Sequence, residues 1–200
     1  MNKEDLLAQI SQEFKNVTLG DAYTLAEEDY YDTSHWHFDE KHIDSNLTRE
    51  EWDKREIEGM TEHRWWLLEE IEEAIEAIKG KRKMSNKFPN PLDVSVEYLN
   101  RYREGFIFLQ PQAYLFYTPS IMIHKLCNPD YIDGFSFNSW LSTLIFKTED
   151  FNTLLNYFSK KQFSILIDFL KYLMGLDTVD EFDKEKIQIA LTQIQSFKFE

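Results

Sequence analysis

Three histidines and two carboxylates stand together in Ser34-His35-Trp36-His37-Phe38-Asp39-Glu40-Lys41-His42. Imidazole nitrogens and carboxylate oxygens are ligands that zinc and iron accept, so His35, His37 and His42 form the candidate metal set. The spacing weakens that reading. His-x-His suits a ligand pair on a strand or loop, and neither His-x-x-x-His nor Glu-x-x-His lies here on a well-defined helical stripe. Trp36 and Phe38 alternate with the histidines, as in a short extended segment packed against a domain. The expectation is therefore a structural or surface role, with metal binding or a metal-dependent enzyme as the alternative. Cys127 follows His124 by three residues, a spacing that brings side chains together on a helix. No orienting group or oxyanion hole accompanies the pair, so a buried, inert cysteine is expected. No catalytic residue and no cofactor are assigned, and the chain reads as a non-enzyme.

The second chemistry is charge. The net charge is −14, and residues Asp21–Ile78 hold 19 acids against 5 bases, which accounts for the whole excess. Such a stretch repels nucleic acid and anionic lipid and attracts a basic partner. The competing view is that the acidity only aids solubility. Aromatics interleave with the acids: Tyr30, Tyr31, Trp36, Trp52, Trp65 and Trp66. Interface centres favour Trp and Tyr, while charge at the rim steers association. Glu69, Glu70, Glu73 and Glu76 make an acidic ridge opposite Leu68 and Ile75 on a predicted helix. Glu69 with Glu73, and Glu72 with Glu76, are like-charge i,i+4 pairs, each costing a few tenths of a kcal/mol on an isolated helix. Cations to relieve them come either from Lys81-Arg82-Lys83 or from a partner. The candidate partner-binding set is Tyr30, Tyr31, Trp36, Trp66, Glu69, Glu70, Glu73 and Glu76.

The elements that must carry these groups read as helices. Asn2 caps a stripe of Leu6, Leu7, Ile10 and Phe14. Thr48-Arg-Glu-Glu51, Ser159-Lys-Lys-Gln162 and Thr178-Val-Asp-Glu181 are capping boxes, in which a hydroxyl and a carboxylate or amide each satisfy a free backbone amide. Thr61 starts a longer helix with Trp65, Leu68, Ile71, Ile75 and Ile78 inward, ended by Gly80. Phe163, Leu166, Ile167, Leu170 and Met174 follow the second box; Phe182, Ile187, Ala190, Leu191 and Ile194 follow the third. Apolar/polar alternation is missing. The fold class is therefore mainly α, a single compact multi-helix domain with few or no strands. Within residues 1–200 an acidic helical layer (1–79) leads through a basic, proline-containing linker (80–93) to an aromatic helical core (94–200).

Composition sets further bounds. Two hundred residues with 42% hydrophobic and 16% aromatic content support one sizeable core. The single cysteine excludes an intramolecular disulfide, and the N-terminal residues hold no apolar signal core. No apolar run has the length of a membrane span; the nearest, Phe163–Leu176, is broken by Ser164, Asp168 and Lys171. A cytoplasmic location is expected.

The densest apolar block, Arg101–Leu126, packs six aromatics and two prolines. Phe108, Leu109, Pro111, Tyr114, Phe116, Tyr117, Pro119 and Met122 follow a Phe-Leu-x-Pro, aromatic, Pro-x-x-Met pattern. Trp140, Leu141, Leu144, Phe158, Ser159, Gln162, Phe169 and Leu170 continue it. Over this C-terminal half the chain resembles a family of uncharacterised bacterial domains. That family's small apolar pair after the aromatics is replaced here by Thr118 and Ser120. The resemblance bears on fold and implies no activity.

The leading functional expectation is a cytosolic acidic protein that neutralises a basic protein, as an immunity protein neutralises a nucleic-acid-cutting bacterial toxin. An enzyme that grips phosphate must be basic, so its blocker is acidic. The alternatives are the metal reading above and a structural accessory subunit with Phe106–Met122 as an oligomer seam. No nucleic acid, membrane or cofactor is expected as a partner, and no oligomeric state is assigned.

Overall fold

At Asn2 and Ser159, where a capping side chain meets an apolar stripe, the computed structural model of the chain places a helix. The structure describes residues 2–29, 51, 54, 87–128, 135–146 and 151–199. These contain helices α1 (Lys3–Phe14), α2 (Val96–Arg101), α3 (Pro111–Cys127), α4 (Phe135–Ile145), α5 (Phe151–Asn156), α6 (Lys160–Met174) and α7 (Glu181–Ser196), with a 3-10 helix at Arg103–Ile107. Residues 25–29 are also helical, and no strand occurs among the described residues. The mainly α expectation holds.

Asn2 caps α1 by accepting from the Asp5 amide at 2.8 Å, and Leu6, Ile10 and Phe14 are buried as the stripe requires. Both halves of the Ser159 capping box form at α6. Gln162 then does a second job, because its Nε2 donates to the Glu13 carbonyl at 2.9 Å. One buried amide thus closes the first turn of α6 and satisfies a carbonyl in the last turn of α1, where helix carbonyls lack internal partners.

The third predicted capping box does not form. The N-cap of α7 is Asp180, whose carboxylate accepts from the Asp183 amide at 2.7 Å, and the helix begins at Glu181. Asp is as good an N-cap as Ser or Thr and sits nearer the buried stripe. Ile187, Ala190, Leu191 and Ile194 are buried as expected, but Phe182 is 65% exposed. Five residues separate Phe182 from Ile187, which turns it about 140° off the buried face.

Helix α3 is the central post, packed against α1, α2, α4 and α5; α4 also packs on the 3-10 helix and α7, and α6 lies against α1 and α7. One apolar cluster runs from Leu6 to Ile194. At its centre Tyr114 and Trp140 stack with ring centroids 6.0 Å apart and planes 7° from parallel, flanked by Phe137 and Phe169. Their polar atoms close a ring. Trp140 Nε1 donates to Thr118 Oγ1 (3.0 Å), Thr118 donates to the Tyr114 carbonyl (2.7 Å), and the Tyr114 hydroxyl donates to the Trp140 carbonyl (2.9 Å). Ser120 donates to the Pro91 carbonyl. Thr118 and Ser120, polar residues in an apolar helix, are therefore buried and bonded. Pro119 stands inside α3 and forfeits one ladder bond.

Burial pushes the Tyr114 phenol well above its ordinary value of 10.0. The unfolded chain releases this proton near the ordinary value, while the folded chain keeps it. The contribution to stability is whole below pH 10.0 and is lost as pH rises from there toward the folded-state value. Urea titrations between about pH 9 and 11 should show stability falling, and Tyr114→Phe should flatten that fall. An unchanged slope in the variant would assign the alkaline loss to other groups.

Candidate functional site

The predicted partner-binding residues Tyr30, Tyr31, Trp36, Trp66, Glu69, Glu70, Glu73 and Glu76 lie outside the described residues, as do His35, His37 and His42. So does the Thr48 end of the first predicted capping box. What the structure does show is how the acidic stretch begins. Its exposed front residue is Asp21, yet Glu27, Glu28 and Asp29 are buried. Those three acids belong to no outward face. Glu27 caps the segment's own first turn, and Asp29 ties it to the 3-10 helix.

The anchoring follows from backbone chemistry. A helix begins at Leu25, so its first amides need acceptors from outside the helix. Thr24 Oγ1 accepts from the Glu27 amide at 3.1 Å and the Glu27 carboxylate accepts from the Thr24 amide at 2.6 Å. The Leu25 amide donates to the Tyr117 hydroxyl at 3.0 Å and the Ala26 amide to the Tyr98 hydroxyl at 3.2 Å. The carboxylate of Asp29 in turn accepts from the Glu104 and Gly105 amides (3.1 and 3.3 Å) at the head of the 3-10 helix. Gly105 packs with its Cα against this segment's backbone; a Cβ there would stand 2.6 Å from the Leu25 carbonyl oxygen. Thr24-Leu-Ala-Glu27 is itself a capping-box sequence, and that signal marks the anchor in the sequence.

Beside the anchor lies an open groove of about 700 Å³. Its walls are Thr18, Gly20 and Asp21 from the loop after α1, Gln110 and Pro111 at the start of α3, and Tyr157 after α5. Gly20 has φ +62°, a left-handed conformation that glycine adopts without strain, and it turns the chain so that Asp21 borders the groove. Gln112 donates to the Thr18 carbonyl and pins the loop to α3. Proline at the first position of α3 has no amide to leave unsatisfied.

Cys127 is free and exposed, against the expectation of a buried thiol. It is the last residue of α3, one place beyond the buried Leu126, where the helix has run past the core. His124 is engaged elsewhere: its Nε2–H donates to the Val94 carbonyl at 2.8 Å. Phe106 and residues 113–122 are buried within the chain, so Ile107 and Phe108 are the large apolar side chains that Phe106–Met122 presents outward. No helix among the described residues is long and apolar enough to cross a membrane, and no three His, Cys, Asp or Glu side chains there group as metal ligands.

Compared with family models, curated proteins and solved structures, the chain matches none.

Proposed function

We propose that this is a cytosolic acidic binding protein that docks a basic protein, in the manner of an immunity protein neutralising a nucleic-acid-cutting toxin. One observation carries the reading: Asp21–Ile78 holds 19 acids against 5 bases and so contains the entire net charge of −14. The anchoring of residues 24–29 refines it. With Glu27, Glu28 and Asp29 turned into the core, the docking charge falls to Asp32 through Glu76, with Asp21 at the margin. The aromatics Tyr30, Tyr31, Trp36 and Trp66 stand in or beside that span and supply anchors of the type that dominate interface energetics.

The test uses the protein encoded beside this chain's gene, which this reading expects to be small and basic. Affinity should fall with added salt, mainly through slower association, because steering is screened over about 10 Å at 0.1 M salt. Reversing Glu69, Glu73 and Glu76 to lysine should weaken binding about tenfold or more while leaving the unfolding midpoint in place. Trp66→Ala should cost on the order of 2 kcal/mol if it anchors the interface. Asp180 and Glu181 are poor controls, since Asp180 caps α7 and Glu181 pairs with Lys184 at 3.3 Å. Asp177→Lys with Glu185→Lys is the better comparison, both being exposed acids of the C-terminal half. A control that weakens binding as much as the ridge, or binding indifferent to salt, would leave the acidity as a solubility feature.

A further inference from the structure

We infer that the groove between the loop after α1 and the start of α3 receives an arginine side chain of the basic partner, a subsite that deepens the proposed reading and rests on it. Among the described residues, Asp21 is the one formally charged side chain that lines the groove. Asp21, Gln110 and Tyr157 make no side-chain hydrogen bond or ion pair among the described residues, although each stands at the groove wall. The start of α3 contributes a partial positive charge of about half an elementary unit, which the full charge of Asp21 exceeds. The groove is therefore net negative at one rim.

Tyr157, a second lining residue, supplies the other half of the recognition. Tyr157 is 46% exposed, so its ring is free to lie under a planar cation. A guanidinium matches both side chains, since its fork pairs with a carboxylate and its face stacks on an aromatic ring. The free amide of Gln110 accepts from a remaining guanidinium N–H, and Pro111 offers an apolar surface for the methylene stem. A volume of about 700 Å³ holds an arginine with its flanking peptide units. Gly20 and the Gln112–Thr18 bond fix Asp21 before any ligand arrives, so little ordering is left to binding.

The probe is N-acetyl-arginine amide, titrated into the 15N-labelled full chain, with N-acetyl-glutamate amide as the counter-probe. The arginine probe should give saturable shifts at the amides of Gly20, Asp21 and Gln112, in the millimolar range. Asp21→Asn should weaken it about tenfold, and Tyr157→Leu about threefold, the loss of an exposed cation–ring contact. Both positions are solvent-facing, so both variants keep the parent unfolding midpoint. No saturable response, an equal response to the glutamate probe, or an unaltered affinity in Asp21→Asn overturns the inference. If the arginine probe binds here while no basic protein does, the subsite stands and the acidic-face reading falls. If a basic partner answers to Glu69, Glu73 and Glu76 but not to Asp21→Asn, the reading stands and the subsite falls.

Discussion

Gly105→Ala should destabilise the protein by about 3 kcal/mol, a loss out of proportion to the single methyl group it adds. The new Cβ would stand 2.6 Å from the Leu25 carbonyl oxygen and 2.7 Å from the Asp29 amide nitrogen. Both are backbone atoms of a short helix held at each end, so neither yields as a flexible side chain would. Relief requires the segment 25–29 to lift from the 3-10 helix. That would break the Asp29 bonds to the Glu104 and Gly105 amides and the tyrosine hydroxyl bonds from Leu25 and Ala26. Urea denaturation read by circular dichroism gives the midpoint and slope; a loss under about 0.5 kcal/mol would show that the two backbones are not in close contact. Tyr117→Phe is the milder companion. It removes one acceptor from a buried amide and should cost about 1–3 kcal/mol.

Trp140→Ala should cost about 4 kcal/mol. Trp140 is fully buried among Tyr114, Phe137 and Phe169, which cannot all collapse into the space its indole leaves. The loss has a polar part as well, because Thr118 would lose the N–H that it accepts. Thr118→Val separates the two parts. It keeps the shape and leaves the indole N–H without a partner, so about 1–3 kcal/mol should go through desolvation alone. A Thr118→Val variant as stable as the parent would mean that the ring of hydrogen bonds contributes little and that packing carries the site.

The helical architecture was legible because its signals are local. Asn2 and Ser159 cap as read, and the stripes of α1, α6 and α7 bury Leu6, Ile10, Phe14, Phe163, Leu166, Leu170, Ile187, Ala190, Leu191 and Ile194, while Leu7, Ile167 and Met174 lie half-buried at the edge of the core. Phe182 escaped because it stands five positions before Ile187, about 140° off the buried face whichever residue caps α7. Phe108 shows the complementary limit: it belongs to the densest apolar block of the chain and is still 46% exposed, since composition cannot say which side of a 3-10 turn meets the core. The buried acids were the larger surprise. Charge counting treats Glu27, Glu28 and Asp29 as surface, and only tertiary partners 75 and 76 residues away reveal that Asp29 is an internal cap. The groove beside Asp21 brings together a loop, a helix start and Tyr157 from three separated parts of the chain, and no spacing rule links those positions.

The packing of α1 also sets the order in which the chain becomes stable during synthesis. The apolar stripe of α1 lies against α3 and α6, and Lys161 reaches Gln9 across 152 residues of sequence. A ribosome emits about 5–20 residues per second, so the stripe of Leu6, Ile10 and Phe14 waits on the order of ten seconds for α6. The hydroxyls of Tyr98 and Tyr117, which dock the segment 25–29, lie 72 and 92 residues downstream of their donors. Closing loops of that length costs about 4 kcal/mol of chain entropy before the contacts return anything. Docking of α1 and of the segment 25–29 therefore waits on elements made much later in the chain, and these contacts belong to a late step of folding.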